Sequence, residues 1–170
     1  MDASILTGTT LTIPLVAQAR ESRNLALKAA DDLTLTLQAS IVSIACAAMA
    51  VEAEVNWQAD RHDRTWLDAN HRLWSAPEKW RKWIAHRNGP RYVAGSGLGQ
   101  RVVTLFGDRD LIVHFHGVPD GKGGLAIHQP PDASNSGITK VRGHFTPELA
   151  RIHVTTAEEA IEALSLVSGG

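Results

Sequence analysis

Residues 32–60 read DLTLTLQASIVSIACAAMAVEAEVNWQAD, and this stretch decides the fold. No residue from Leu33 to Val51 carries a charge, yet Thr34, Thr36, Gln38, Ser40 and Ser43 make it too polar for a span of the roughly 20 apolar residues a bilayer needs. A buried helix explains it better. Asp31 and Asp32 suit its start, where carboxylates accept from free N–H groups and oppose the helix dipole. Its centre is small on nearly every side (Ala39, Ser40, Ser43, Ala45, Cys46, Ala47, Ala48, Ala50), which lets neighbouring helices approach closely. The stretch therefore predicts the spine of an all-α helical bundle.

Working outward, residues 1–12, with Gly8 and repeated threonines, read as a flexible leader. A first helix is expected from Ile13-Pro14 toward Ala30, because proline is well tolerated in a first turn. A third spans Arg64 to Leu73. Ser75-Ala76-Pro77-Glu78 is a capping-box pattern that predicts a short helix from Ala76 to about His86, ended by Asn88-Gly89-Pro90. Another runs from about Leu98 to His116, with Gly107 a soft point, and closes a helical domain over residues 13–116. Residues 117–147 turn to Gly, Pro, Asp, Asn and Ser and read as a loop, in which Leu125–Gln129 and Ile138–Val141 could pair as a small hairpin. Residues 148–170 pack on the same domain and carry a last helix starting at Thr155 or Thr156, each with Glu three residues on. No internal repeat is present.

A chain of 170 residues with 44% hydrophobic and 21% charged residues can bury a core without disulfides or a structural metal. Its one cysteine, Cys46, lies in an apolar run and reads as a small hydrophobe. Leu15-Val16-Ala17-Gln18-Ala19 looks like the end of a signal peptide, but Asp2 replaces a basic start and Gly8 and Pro14 interrupt any apolar stretch, so a cytoplasmic protein with no membrane association is expected. The net charge of −1 hides an asymmetry: residues 1–60 carry 3 basic and 7 acidic groups, 61–116 carry 10 and 5, and 117–170 carry 4 and 6. Only the middle third offers a surface for a polyanion. Within it, Arg81, Lys82, Arg87, Arg91 and Arg101 are the candidate RNA-binding residues.

No Gly-rich phosphate loop, no Cys/His zinc spacing and no nucleophile turn occurs, so neither a cofactor nor a metal is expected. The remaining polar cluster is Arg109-Asp110-Leu111-Ile112-Val113-His114-Phe115-His116. It resembles the R-x4-6-H signature of the HEPN family. Ala50-Val51-Glu52-Ala53-Glu54-Val55-Asn56 resembles that family's small-hydrophobic-Glu-Ala…Asn helix, and Glu78-Lys79-Trp80 resembles the short Glu-Lys-Trp element that precedes the Arg/His helix in some members. The three occur in the family's order over residues 33–116. A second R-x4-H copy, Arg81 to His86, lies in the short capped helix and reads as a decoy.

The resemblance implies an all-α bundle that homodimerises, with the Arg/His pairs of both subunits lining a shared cleft. It also implies a metal-independent endoribonuclease of a toxin–antitoxin or phage-defence system, with RNA as substrate and an antitoxin protein as a partner; other members have lost activity. Arg109, Asp110 and His114 would then be the catalytic residues. Asp110 stands where the family more often has Asn.

On an ideal helix Arg109 and His114 lie about 140° apart, so a helix end or a second subunit must help to unite them. His116 lies only about 20° from Arg109 and is the understudy. Asp110 and His114 are one turn apart, where a carboxylate would orient the imidazole. Such an imidazole can move the proton of a 2′-hydroxyl while a guanidinium grips the phosphate. The alternative is an Arg109–Asp110 surface ion pair with His114 packed in the interior. Glu52 and Asn56, one turn apart on the long helix, either orient Arg109 or bond one helix to another. Five tryptophans (Trp57, Trp66, Trp74, Trp80, Trp83) interleave with arginines; helical spacing favours packing for most, base stacking for the rest. His62, His71, His86, His128, His144 and His153 show no ligand spacing and read as surface residues.

Overall fold

A computed structural model describes residues 8–113, 117–119, 125–127 and 144–168. Six long or medium helices are described: α1 (Gly8–Lys28), α2 (Leu33–His62), α3 (Arg64–Asn70), α4 (Ala76–His86), α5 (Gly97–Val113) and α6 (Pro147–Ser168). The fold is all-α, with the long α2 at its centre and α1, α3, α4, α5 and α6 all packed against it.

The small residues of α2 do the work expected of them. Ser40, Ser43, Ala47, Ala48 and Ala50 are fully buried, and Ala19 and Ala26 of α1 are buried opposite. Ser43 Oγ donates to the Ala19 carbonyl at 2.8 Å, a bond that only closely approaching backbones permit. Asp32 caps α2, its Oδ1 accepting from the Thr34 and Leu35 amides at 3.0 Å. By length and composition α2 could cross a membrane; 44% of its most apolar window is buried inside the protein.

Trp80 and Trp83 of α4 are fully buried, as packing requires, and the Trp80 indole N–H donates to the Ala160 carbonyl of α6 at 3.0 Å. Glu78 closes the predicted capping box, its Oε2 accepting from the Ser75 amide and hydroxyl. At the other end Asn88, not glycine, takes the left-handed conformation (φ 59°). Gly89 is needed for space instead: a Cβ there would lie 2.5 Å from Val167 Cγ1 and 2.7 Å from Ile84 Cγ2.

Four boundaries differ from expectation. Residues 8–12, read as leader, belong to α1; Pro14 therefore lies inside the helix rather than in its first turn, where it forgoes one backbone bond and crowds the turn before it. α3 stops at Asn70 rather than Leu73. α6 begins eight residues before Thr155, because Thr146 Oγ1 accepts from the Leu149 amide and Pro147 fits the first turn. The hairpin has another partner: Leu125–Ile127 pairs antiparallel with Gly117–Pro119, while residues 138–141 lie outside the described residues.

Candidate functional site

Three helices bring the motif residues together. Glu52 and Asn56 project from α2, Lys79 from α4 and Arg109 from α5. Lys79 Nζ donates to Asn56 Oδ1 at 3.2 Å and to Glu52 Oε1 at 3.5 Å, while Glu52 Oε2 lies 3.7 Å from an Arg109 Nη. The Lys79 side chain is only 7% exposed, against 37% for Glu52 and 26% for Arg109. The ammonium is thus an internal strut, and Glu52 stands between two cations. Arg109 also meets Asp110 at 3.2 Å and lies over the Phe106 ring at 5.4 Å.

Both readings of Glu52 and Asn56 find contacts here: both residues bond α2 to α4, and Glu52 also pairs with Arg109. The 3.7 Å separation is an ion pair too long for a hydrogen bond, so the guanidinium keeps donors for another acceptor. Beside the cluster a cleft of about 430 Å³ is lined by Asn56, Arg64, Asp68, His71, Arg72 and Lys79 among others. Arg64 there is committed to Asp60 and Asp68. His114 and His116, the proposed proton carriers, lie outside the described residues.

The other basic candidates part company. Arg81, Lys82 and Arg91 line one cavity on α4, with Arg87 held over the Trp83 ring at 5.9 Å. Arg101 pairs with Glu159 of α6 on the α5–α6 face. The second R-x4-H copy is spoken for: His86 Nε2 meets Asp63 Oδ2 at 2.9 Å and its ring stacks on Trp66. Trp66 and Trp74 extend that aromatic patch, half-buried, and Trp57 lies under Arg61. Cys46 is half-buried against the core, and burial pushes its thiol pKa up, away from reactivity.

One cluster was not anticipated. Asp108 of α5, buried, receives His153 Nε2 at 2.6 Å on one oxygen and His144 Nε2 at 2.7 Å on the other. Burial pushes the Asp108 carboxyl up, but hydrogen bonds from His153 and His144 outweigh it and hold the pKa below the ordinary carboxylate range. An ionised carboxylate only accepts, so both Nε2 atoms carry hydrogen. His153, read as a surface residue, is 1% exposed. The signal was available: Ala150, His153, Val154, Ala157 and Ala160 share one helical face, and four of them are plainly apolar. Among the described residues no group of three His, Cys, Asp or Glu side chains could hold a metal ion, the two imidazoles here using different oxygens.

Compared with known proteins, the chain matches no family model, no curated sequence and no solved structure.

Proposed function

We propose that the chain is a HEPN-like, metal-independent endoribonuclease that acts as a cytoplasmic homodimer in a toxin–antitoxin or phage-defence setting. The observation that carries the reading is the Glu52–Lys79–Arg109 network. Each of the three sequence stretches that resemble the family contributes one residue to it, and those residues meet in space. A buried lysine and a shared carboxylate are a costly way to join helices unless the guanidinium they position has a task.

In this mechanism Arg109 binds a phosphate of the RNA backbone and offsets charge growing on its oxygens. His114 takes the proton of the adjacent 2′-hydroxyl, whose oxygen attacks the phosphorus and expels the 5′-oxygen, which takes a proton from water as it leaves. Asp110, one turn before His114, orients the imidazole. The products carry 2′,3′-cyclic phosphate ends.

The test is cleavage of single-stranded RNA by purified protein in EDTA, with end analysis of the products. His114→Ala should lose about 10² to 10⁴ in rate, the usual span for a general acid or base. Metal-dependent cleavage that survives His114→Ala would rule the mechanism out. A second reading, a catalytically silent HEPN-like binding module for a nucleotide, RNA or a partner protein, is favoured by one observation: Arg109 already faces two carboxylates, Glu52 and Asp110. Intact RNA across a broad substrate panel would leave that reading in place.

A further inference from the structure

On a different face of α4 from Lys79, a cavity of about 260 Å³ is lined by Arg81, Lys82, Ala85, Arg91 and Tyr92. Three cationic residues line it, and among the described residues no carboxylate does. Among the described residues none of the three cations is in an ion pair, and the Arg81 Nε–H is shut off from solvent with no acceptor. Glu78 is a carboxylate that feels Arg81 and Lys82, but it is occupied by the Ser75 amide and hydroxyl. Lys82 is held over the Trp74 ring at 4.8 Å. Clustering like charges without counter-charges costs stability, so the arrangement calls for an anion supplied from outside.

The fourth wall is aromatic and rigid. Tyr92 is half-buried against Trp80, their ring centroids 4.7 Å apart, and Trp80 is itself fully buried and bonded to Ala160. The segment that carries Arg91 and Tyr92 is pinned at both ends. The Asn88 left-handed turn and Gly89 fix its start, and Gly99 of α5 lies so close to Val93 that a Cβ would meet the Val93 carbonyl oxygen at 2.3 Å. A cavity prebuilt from three cations that make no ion pair among the described residues, one phenol and one alanine fits a phosphate attached to a flat ring.

We infer that this cavity is a nucleotide-binding site, in which Arg81, Lys82 and Arg91 hold the phosphate oxygens and Tyr92 supports the base. The volume accommodates one nucleotide partly open to solvent, whether free or at the end of an RNA strand. Planar guanidinium forks suit phosphate, and aromatic stacking accepts any base. The site stands apart from the Arg109 centre and depends on neither reading of it.

The test is calorimetric titration of the full chain with 5′-AMP, adenosine and inorganic phosphate. AMP should bind at least about tenfold more tightly than either fragment, and weaken as salt rises from about 0.05 to about 0.2 M. Arg91→Gln, on an exposed segment, should weaken AMP at least about tenfold with an unchanged helical circular-dichroism spectrum, and Arg81→Gln should do the same. Arg109→Ala should leave AMP binding unchanged. Competition by an oligoribonucleotide with a 5′-phosphate, but not by its 5′-hydroxyl form, would assign the site to RNA ends; no competition by either would assign it to free nucleotides. Absence of AMP binding up to millimolar concentration, adenosine binding as tightly as AMP, or AMP binding lost in Arg109→Ala but kept in Arg91→Gln would each overturn the inference.

Discussion

Glu52 and Lys79 form an unequal pair: the ammonium is almost wholly buried, while the carboxylate that answers it, 3.5 Å away, is a third exposed and is shared with Arg109. The burden of desolvation falls on the lysine. Glu52→Gln should therefore destabilise the fold by about 1–3 kcal/mol, because it leaves a buried charge short of its counter-ion. Adding Lys79→Met should recover much of the loss, since an apolar side chain of similar length needs no partner. Urea unfolding of the two single variants and the double variant checks this. Additive losses would show that the pair is not coupled.

Two glycines of α5 should respond oppositely to alanine. At Gly99 the new methyl would stand 2.3 Å from the Val93 carbonyl oxygen, a backbone atom that cannot swing away. Gly99→Ala should cost about 1–3 kcal/mol, the usual range for overpacking. At Gly107 nothing lies within 4 Å, so Gly107→Ala should stabilise by about 0.5–1 kcal/mol through helix propensity and lower unfolded-state entropy. Thermal unfolding distinguishes the two. The same sign for both would contradict the geometry.

Local signals were readable where one side chain answers one backbone group. Asp32 and the Ser75–Glu78 box marked the starts of α2 and α4 correctly because capping is settled within four residues. Where two local signals competed, the wrong one was chosen: Thr155 and Thr156 each have a glutamate three residues on, but Thr146-Pro147 starts α6 first and the later threonines fall inside the helix. The site divides in the same way. Glu52, Asn56 and Arg109 stood out by residue type, whereas Lys79 was seen only as part of a motif, since its role depends on α2 lying across α4. Asp108, His144 and His153 meet only through the packing of α5 on α6, which no spacing in sequence records.

The Asp108 carboxylate should give the fold an acid-sensitive contribution. Its folded pKa lies below the ordinary value of 3.8, so the unfolded chain binds the proton more readily and stability falls as the pH falls. The contribution is complete above the ordinary value and is lost as the pH falls through the folded one. Asp108→Asn offers one carbonyl oxygen to two N–H donors and should cost about 1–3 kcal/mol near neutral pH. The gap between the two proteins should then narrow only as the pH falls below about 4, through the ordinary value and toward the folded one, where the native carboxylate is itself protonated. Urea unfolding across that range measures it, and a constant gap would exclude the charged carboxylate as the cause.

Arg109 should be sensitive to its shape more than to its charge. Its planar fork reaches Asp110 with one Nη at 3.2 Å and Glu52 with the other at 3.7 Å, so the group is oriented by two carboxylates at once. Arg109→Lys keeps the charge but replaces a fork with a point, which cannot keep both contacts and grip two phosphate oxygens together. Single-turnover cleavage of an oligoribonucleotide in EDTA should fall by about 10²-fold or more, comparable to removing one preorganised donor at developing negative charge. Asp110→Asn removes one charge but keeps a side-chain oxygen at this position, and puts in place the residue commoner in the resembled family. It should leave cleavage within about threefold of the parent, or raise it, because the asparagine side-chain oxygen can still accept from the Arg109 Nη and from the imidazole. Folding should be unaffected within about 0.5 kcal/mol, as for most surface substitutions. An Arg109→Lys protein that cleaves at the parental rate would show that phosphate recognition lies elsewhere. An Asp110→Asn protein that loses cleavage as completely as His114→Ala would instead make Asp110 part of the proton path.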